Sequence, residues 1–185
     1  MKSVAHIFGG EAKVKIMRLF IFNPSLILSS AEVSHRAKER AVNTRRELHI
    51  LSKAGLIKQR ARGYTLDSTY VYLPAIENFL VDATPISSKE IIERFSTALN
   101  LRLILISGVF LHDRDSRVDI LIVGDHIKQS KLLTAISSIE ALLGKELRYA
   151  AFETADFQYR LGIYDKLIRD ILESKHEKIF NKLGI

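Results

Sequence analysis

No cysteine occurs among the 185 residues. That excludes a disulfide framework, a cysteine-ligated zinc site and a thiol nucleophile. Proline is confined to Pro24, Pro74 and Pro85, and the last two bracket the expected junction between two parts of the chain. Long apolar runs are missing. The longest, such as Leu103–Ile106, are four residues, far below the roughly 20 that a membrane-spanning helix needs. The stretch from Met1 to Glu11 holds no apolar segment long enough for a secretion signal. Phosphate-loop spacing, a Ser/His/Asp signature, internal repeats and low-complexity tracts are all lacking. These absences leave a soluble cytoplasmic protein without membrane partners as the expectation.

What is present points to a folded chain. Hydrophobic residues make up 47%, a globular composition, and the length allows one large domain or two small ones. The formal net charge of +7 is unevenly spread. Residues 1–70 hold 13 Lys+Arg and 5 Asp+Glu, an excess of +8, whereas residues 71–185 hold 15 and 16, a balance of −1. A basic binding module followed by a near-neutral partner is the arrangement this implies.

Within the basic part, Val14, Met17, Phe20 and Ile21 share one face of a helix over Glu11–Phe22, stopped at Asn23 by Pro24. Leu26–Leu28 reads as a short strand. Ser29 and Glu32, three apart, form a capping box that opens a helix ending near Lys38. A turn at Glu39–Ala41 leads to a helix from about Val42 to Ala54, ended by Gly55. Thr44 and Glu47 also fit a capping box, which leaves the start open. Thr44, Leu48 and Leu51 form the stripe expected to be buried. Arg46, His49 and Lys53 fall opposite, with Arg45 on their flank. Ile50 lies outside the stripe, open to the preceding helix, a dimer mate or a thymine methyl. Ile57–Arg60 and Tyr64–Leu66 read as a hairpin, with Gly63 as turn residue. Alternation in it places Lys58, Arg60 and Arg62 on one side.

The order helix, strand, helix, three-residue turn, helix and basic hairpin resembles the winged helix-turn-helix transcriptional regulators. The resemblance rests on residues 31–38 (AEVSHRAK), 45–51 (RRELHIL) and 53–58 (KAGLIK), and covers about residues 11–67. It implies binding of double-stranded DNA, with one helix in the major groove. Arg45, Arg46, His49 and Lys53 would face the duplex, and Asn43 and Thr44 at the helix start would reach bases or phosphates. Lys58, Arg60 and Arg62 would meet phosphate or the minor groove. With roughly four to eight phosphate contacts per subunit, affinity would fall steeply with salt. Use of the same unit for protein contact is the alternative.

Beyond it, Leu73, Ile76 and Leu80 mark a helix over Leu73–Val81, with Pro74 in its first turn and a break at residues 82–85. Ser87 and Glu90 open another helix to about Ala98. Apolar strands follow at Leu101–Ile106 and Val118–Val123, around a charged loop at His112–Arg117. An amphipathic helix at Gln129–Leu143, stopped by Gly144, precedes a third strand at Glu146–Phe152. Thr154 and Asp165 are placed to cap helices over Ala155–Leu161 and Lys166–Leu172. The tail, Lys175–Ile185, is amphipathic through Ile179, Phe180 and Leu183 and suited to packing on the core. The class expected is α+β, with three parts: 1–70, a helical linker at 71–98, and 99–185 with a small mixed sheet.

Residues 104–110 (ILISGVF) and 115–123 (DSRVDILIV) resemble the minimal nucleotidyltransferases, over roughly residues 100–170. In that family a Gly-Ser turn cradles phosphates and two strand-borne carboxylates hold Mg²⁺. Gly108, Asp115, Ser116 and Asp119 match, but Val109 stands at the expected Ser and Arg117 at the first metal-binding Asp. A cation there repels Mg²⁺, so the resemblance implies an inactive transferase needing no cofactor and no metal. Ser107, Gly108, Arg117 and Asp119 would form a relic nucleotide pocket. Homodimerisation, sensing of a small molecule and docking of a partner protein are the roles left open for this part. An active nucleotidyltransferase, holding its substrate on the winged helix, is the alternative from another class. A metal site built from His112, Asp113, Asp115 and Asp119 is weighed against a solvated loop, which is the expectation.

Overall fold

A computed structural model of the chain describes residues 2–83, 86–113 and 115–185. Thr84 and Pro85, which end the expected helix break, lie outside the described residues. So does Arg114 of the expected charged loop. The secondary structure is mixed α+β. Among the described residues there are nine α-helices, a two-stranded sheet and a four-stranded sheet. The chain divides into two units, Met1–Ser87 with Ser137–Glu146, and Ser88–Ile136 with Leu147–Ile185.

The first unit opens with a helix absent from the expectations, α1 (Lys2–Phe8), followed by α2 (Glu11–Ile21). Next comes α3 (Ser30–Ala37), held by the anticipated capping box: the Ser29 hydroxyl accepts from Glu32 N at 3.3 Å, and the Glu32 carboxylate accepts from Ser29 N at 2.8 Å. Lys38, in left-handed geometry (φ 51°), ends it. The following helix, α4 (Ala41–Lys53), begins one residue before the expected start. Thr44 does not cap it; its hydroxyl donates to Arg40 O one turn back.

Strands β1 (Ile57–Arg60) and β2 (Gly63–Leu66) pair antiparallel, with Ile57 opposite Leu66 and Arg60 opposite Gly63. The strand expected over Leu26–Leu28 is reduced to one bridge. Leu28 exchanges two backbone hydrogen bonds with Tyr64, at 2.9 and 2.8 Å. Gly63 makes that approach feasible: its φ is 149°, and a β-carbon there would strike the Leu28 carbonyl. Val14, Phe20, Val33, Leu48, Leu51, Leu56 and Ile57 form the buried cluster that these elements share.

Helix α5 (Leu73–Asp82) carries Pro74 in its first turn, as expected, and adds Leu80 to the same cluster. Its last carbonyls bind a cation from α2. The buried Arg18 guanidinium donates to Leu80 O and Ala83 O and stacks over Phe22 at 5.5 Å. Removal from water lowers its pKa to about 10. Asn23 joins residues 137–146 to the unit, its side-chain amide donating to Leu19 O and Gly144 O.

The second unit contains α6 (Ser88–Ser96), β3 (Asn100–Ile106) and β4 (Ile120–Asp125), and the start of α7 (Gln129–Leu143). The segment expected as a single linker, 71–98, is thus shared between the units. Strand β5 (Tyr149–Glu153) is followed by α8 (Thr154–Gly162), α9 (Lys166–Glu173) and β6 (Glu177–Asn181). The sheet order is β5-β4-β3-β6, parallel between β4 and β5 and antiparallel elsewhere. The amphipathic tail is therefore an edge strand, which pairs its backbone as well as its apolar side chains. Leu103, Leu105, Leu121 and Val123 meet Phe157 of α8 and Ile168 and Ile171 of α9 on one sheet face. Ile104, Ile106, Ile120 and Ile122 alternate with them and are buried on the other. Asp165 caps α9 by accepting from Leu167 N and Ile168 N. Thr154 does not cap α8; the cap position is Glu153. The Glu153 carboxylate instead accepts from the backbone of His126 and Ile127 at 3.1 and 2.9 Å.

Candidate nucleic-acid interface

Helix α4 separates its residues by burial. Thr44, Glu47, Leu48 and Leu51 are buried. Val42, Arg45, Arg46, His49, Ile50 and Lys53 are exposed. At a spacing of three and four, those six form one continuous stripe on the helix. Its chemistry is three guanidinium or ammonium cations, one imidazole and two aliphatic side chains. Val42 is 76% exposed and Ile50 39%, so neither packs as a core residue would. Asn43 is half-buried at the edge of the stripe.

Thr44 has to be withdrawn from the surface set. Its side chain is fully buried and its hydroxyl is committed to Arg40 O. The periodicity that puts it in the Leu48–Leu51 stripe outweighs its place in the first turn.

The hairpin offers less charge than its sequence promised. Lys58 and Arg60 lie two apart on β1 and share a side. Arg62 sits in the turn, outside both strands, so the alternation does not reach it. Lys58 is already paired, its ammonium 2.8 Å from Asp67. Hydrogen bonds from Lys58 and Thr69 hold the Asp67 carboxyl well below the usual carboxylate range, at about 2. Arg60 and Arg62 are exposed.

One residue beneath this surface, Glu47, enters the sequence reading only as a capping partner of Thr44. Glu47 is buried, 3% exposed. Its Oε1 accepts from Arg46 Nε at 3.1 Å and lies 3.0 Å from Arg46 Nη2. Its Oε2 faces the Lys13 ammonium of α2 at 3.6 Å. The sequence signal was an acid inside an otherwise basic helix, at a position three from Thr44 that capping logic had explained in another way.

In the second unit, three of the four expected pocket residues come together where β3 ends and β4 begins. The buried Asp119 carboxylate accepts from Val109 N and Arg148 N, both at 2.8 Å. It also accepts from Arg148 Nε at 3.2 Å and Arg148 Nη2 at 3.0 Å. Gly108 lies against it in left-handed geometry, φ 51°, with no room for a β-carbon beside the carboxylate. The Ser107 hydroxyl donates to Val118 O at 2.5 Å, and Ser116 Oγ lies 3.0 Å from Ser107 Oγ. Arg117 does not take part: its guanidinium pairs with Asp170 of α9 at 3.2 Å. The cation of this cluster is Arg148, whose own pKa is raised by the bonds to Asp119. Both Asp119 oxygens are thus occupied by donors of the chain itself, the arrangement of a structural carboxylate.

Among the described residues no group of three or more His, Cys, Asp or Glu is placed to hold a metal ion. In the loop, Asp113 accepts instead from Asp115 N at 3.0 Å. No described helix is long and apolar enough to cross a membrane. No family model matches the chain, and neither a curated protein nor a solved structure does.

Proposed function

We propose that the protein is a sequence-specific DNA-binding transcriptional regulator. Its first unit acts as a winged helix-turn-helix, with α4 as recognition helix and the β1–β2 hairpin as wing. The observation that carries this reading is the divided burial of α4. One side is anchored by Leu48 and Leu51, and the other exposes Arg45, Arg46, His49 and Lys53 in a single stripe. An exposed Arg can bond guanine edges in pairs, and Lys suits phosphate. Val42 and Ile50 add aliphatic surface suited to thymine methyl groups. The excess of +8 in residues 1–70 supplies the sequence-independent attraction.

The second unit is read as nucleotidyltransferase-like without transferase activity. The self-satisfied Asp119 supports that, since a carboxylate holding two guanidinium bonds and two amide bonds has little left to offer a metal–nucleotide. Its role in this reading is to bring two copies of the chain onto a two-fold site, or to sense a small molecule or a partner protein.

Selection of bound duplexes from a random pool tests the proposal. Enrichment of a palindrome is expected. The double change Arg45→Ala, Arg46→Ala should abolish the shift of that duplex at moderate salt, and intact binding would remove α4 from the interface. Incubation with Mg²⁺, labelled nucleoside triphosphates and candidate acceptors should give no transfer. Transfer lost on Asp119→Ala would establish an enzyme instead.

A further inference from the structure

We infer that Glu47 is a positioning residue for base recognition: it clamps Arg46 by one edge so that the guanidinium presents its other edge to a guanine. The inference rests on the DNA-binding reading above and assigns the source of its specificity.

An acid on a DNA-facing helix needs a reason, because it repels phosphate. Here the acid is turned inward. Glu47 is buried, and Lys13 of α2 stands 3.6 Å from its Oε2. Its charge is thereby balanced within the fold. Oε2 makes no hydrogen bond among the described residues, so the whole directional capacity of this carboxylate is spent through Oε1 on Arg46.

The way Arg46 is held decides what it can still do. A guanidinium has five N–H donors. Oε1 engages Nε and Nη2, the pair on one edge. The remaining edge, formed by Nη1 and the second N–H of Nη2, is intact. That pair is a fork of two parallel donors, the geometry that matches guanine O6 and N7. Arg46 is otherwise open, its side chain 63% exposed. A long side chain in water loses rotamer freedom when it docks, and one already clamped loses less. Arg45 lies on the same stripe and has no ion pair among those described. It is suited to phosphate, where geometry matters less.

The test compares guanine preference with bulk affinity. Lys13→Met/Glu47→Leu removes the buried carboxylate together with its half-buried partner cation, leaves net charge unchanged and replaces an ion pair by apolar side chains of similar size, a change folds commonly tolerate. On the selected duplex it should lose on the order of tenfold in preference at one G·C pair, with affinity for unrelated duplex unchanged; Arg46→Ala should lose the same preference and, with one exposed cation fewer, some affinity for unrelated duplex as well. Replacing that guanine by 7-deazaguanine should weaken the wild type and leave the double variant unaffected. Glu47→Gln keeps an oxygen acceptor for Arg46 and should stay within about twofold of wild type. Full guanine preference in the double variant overturns the inference. A wild-type protein that enriches no sequence overturns the DNA-binding reading itself.

Discussion

Replacing Asp119 by Asn discriminates a structural carboxylate from a functional one. Each Asp119 oxygen accepts two bonds, Oδ1 from Val109 N and Arg148 Nη2, Oδ2 from Arg148 N and Arg148 Nε. An amide nitrogen put in place of either oxygen faces two donors and can satisfy neither. Two bonds are lost on one side and two become neutral-acceptor bonds on the other. Hydrogen bonds to charged groups contribute roughly 1.5–3 kcal/mol each. The Arg148 side chain is 51% exposed, so solvent screening takes the lower end of that range and reduces it further. The expected loss is about 2–4 kcal/mol. With a urea slope of about 2 kcal/mol/M, the unfolding midpoint of the second unit should fall by about 1–2 M. The chain has no tryptophan, so far-UV circular dichroism is the suitable probe. A catalytic carboxylate behaves oppositely, since its removal commonly leaves stability unchanged or raised. A midpoint shift below about 0.3 M would refute the structural assignment.

Gly108→Ala should be at least as damaging, at roughly 3 kcal/mol or more, because the new methyl group meets the Asp119 carboxylate at φ 51°; thermal unfolding reads it. Asp67→Asn releases Lys58 and removes a negative charge beside the hairpin. Duplex affinity should rise, and the slope of log affinity against log salt should steepen by up to about one, measured by titration at several salt concentrations. The same pair sets an acid limit. The Asp67 pKa is about 2 in the fold against about 3.9 in an unfolded chain. Its contribution is therefore present above about pH 4 and disappears as the pH falls through about 2. Acid titration of Asp67→Asn should lack that component.

Local signals were legible and distant ones were not. The Ser29–Glu32 box, the stop at Gly55, the cap at Asp165 and the exposed stripe of α4 depend on residues within a turn or two of each other, and all were readable. Arg148 was not, because it reaches Asp119 across 29 positions, and nothing in its neighbours just before β5 points to that partner. Glu47 was hidden for a related reason. Its partner Lys13 belongs to another helix, and its bond to Arg46 joins adjacent residues, which helical spacing sends to different faces. The alternation argument for the hairpin failed at Arg62 because a turn has no period of two. The tail was recognised as amphipathic, but five residues at a sheet edge carry no signal of whose edge they will complete.

That edge has a consequence during synthesis. Strand β3 has its neighbour β4 close behind it in sequence, whereas its other neighbour, β6, consists of residues Glu177–Asn181. Until those residues emerge, Leu103–Ile106 presents an open line of backbone donors and acceptors beside some of the most apolar sequence in the chain. A nascent chain stalled or cleaved after α9 would display that edge to its neighbours on the same messenger RNA, where pairing between copies competes with completion of the sheet.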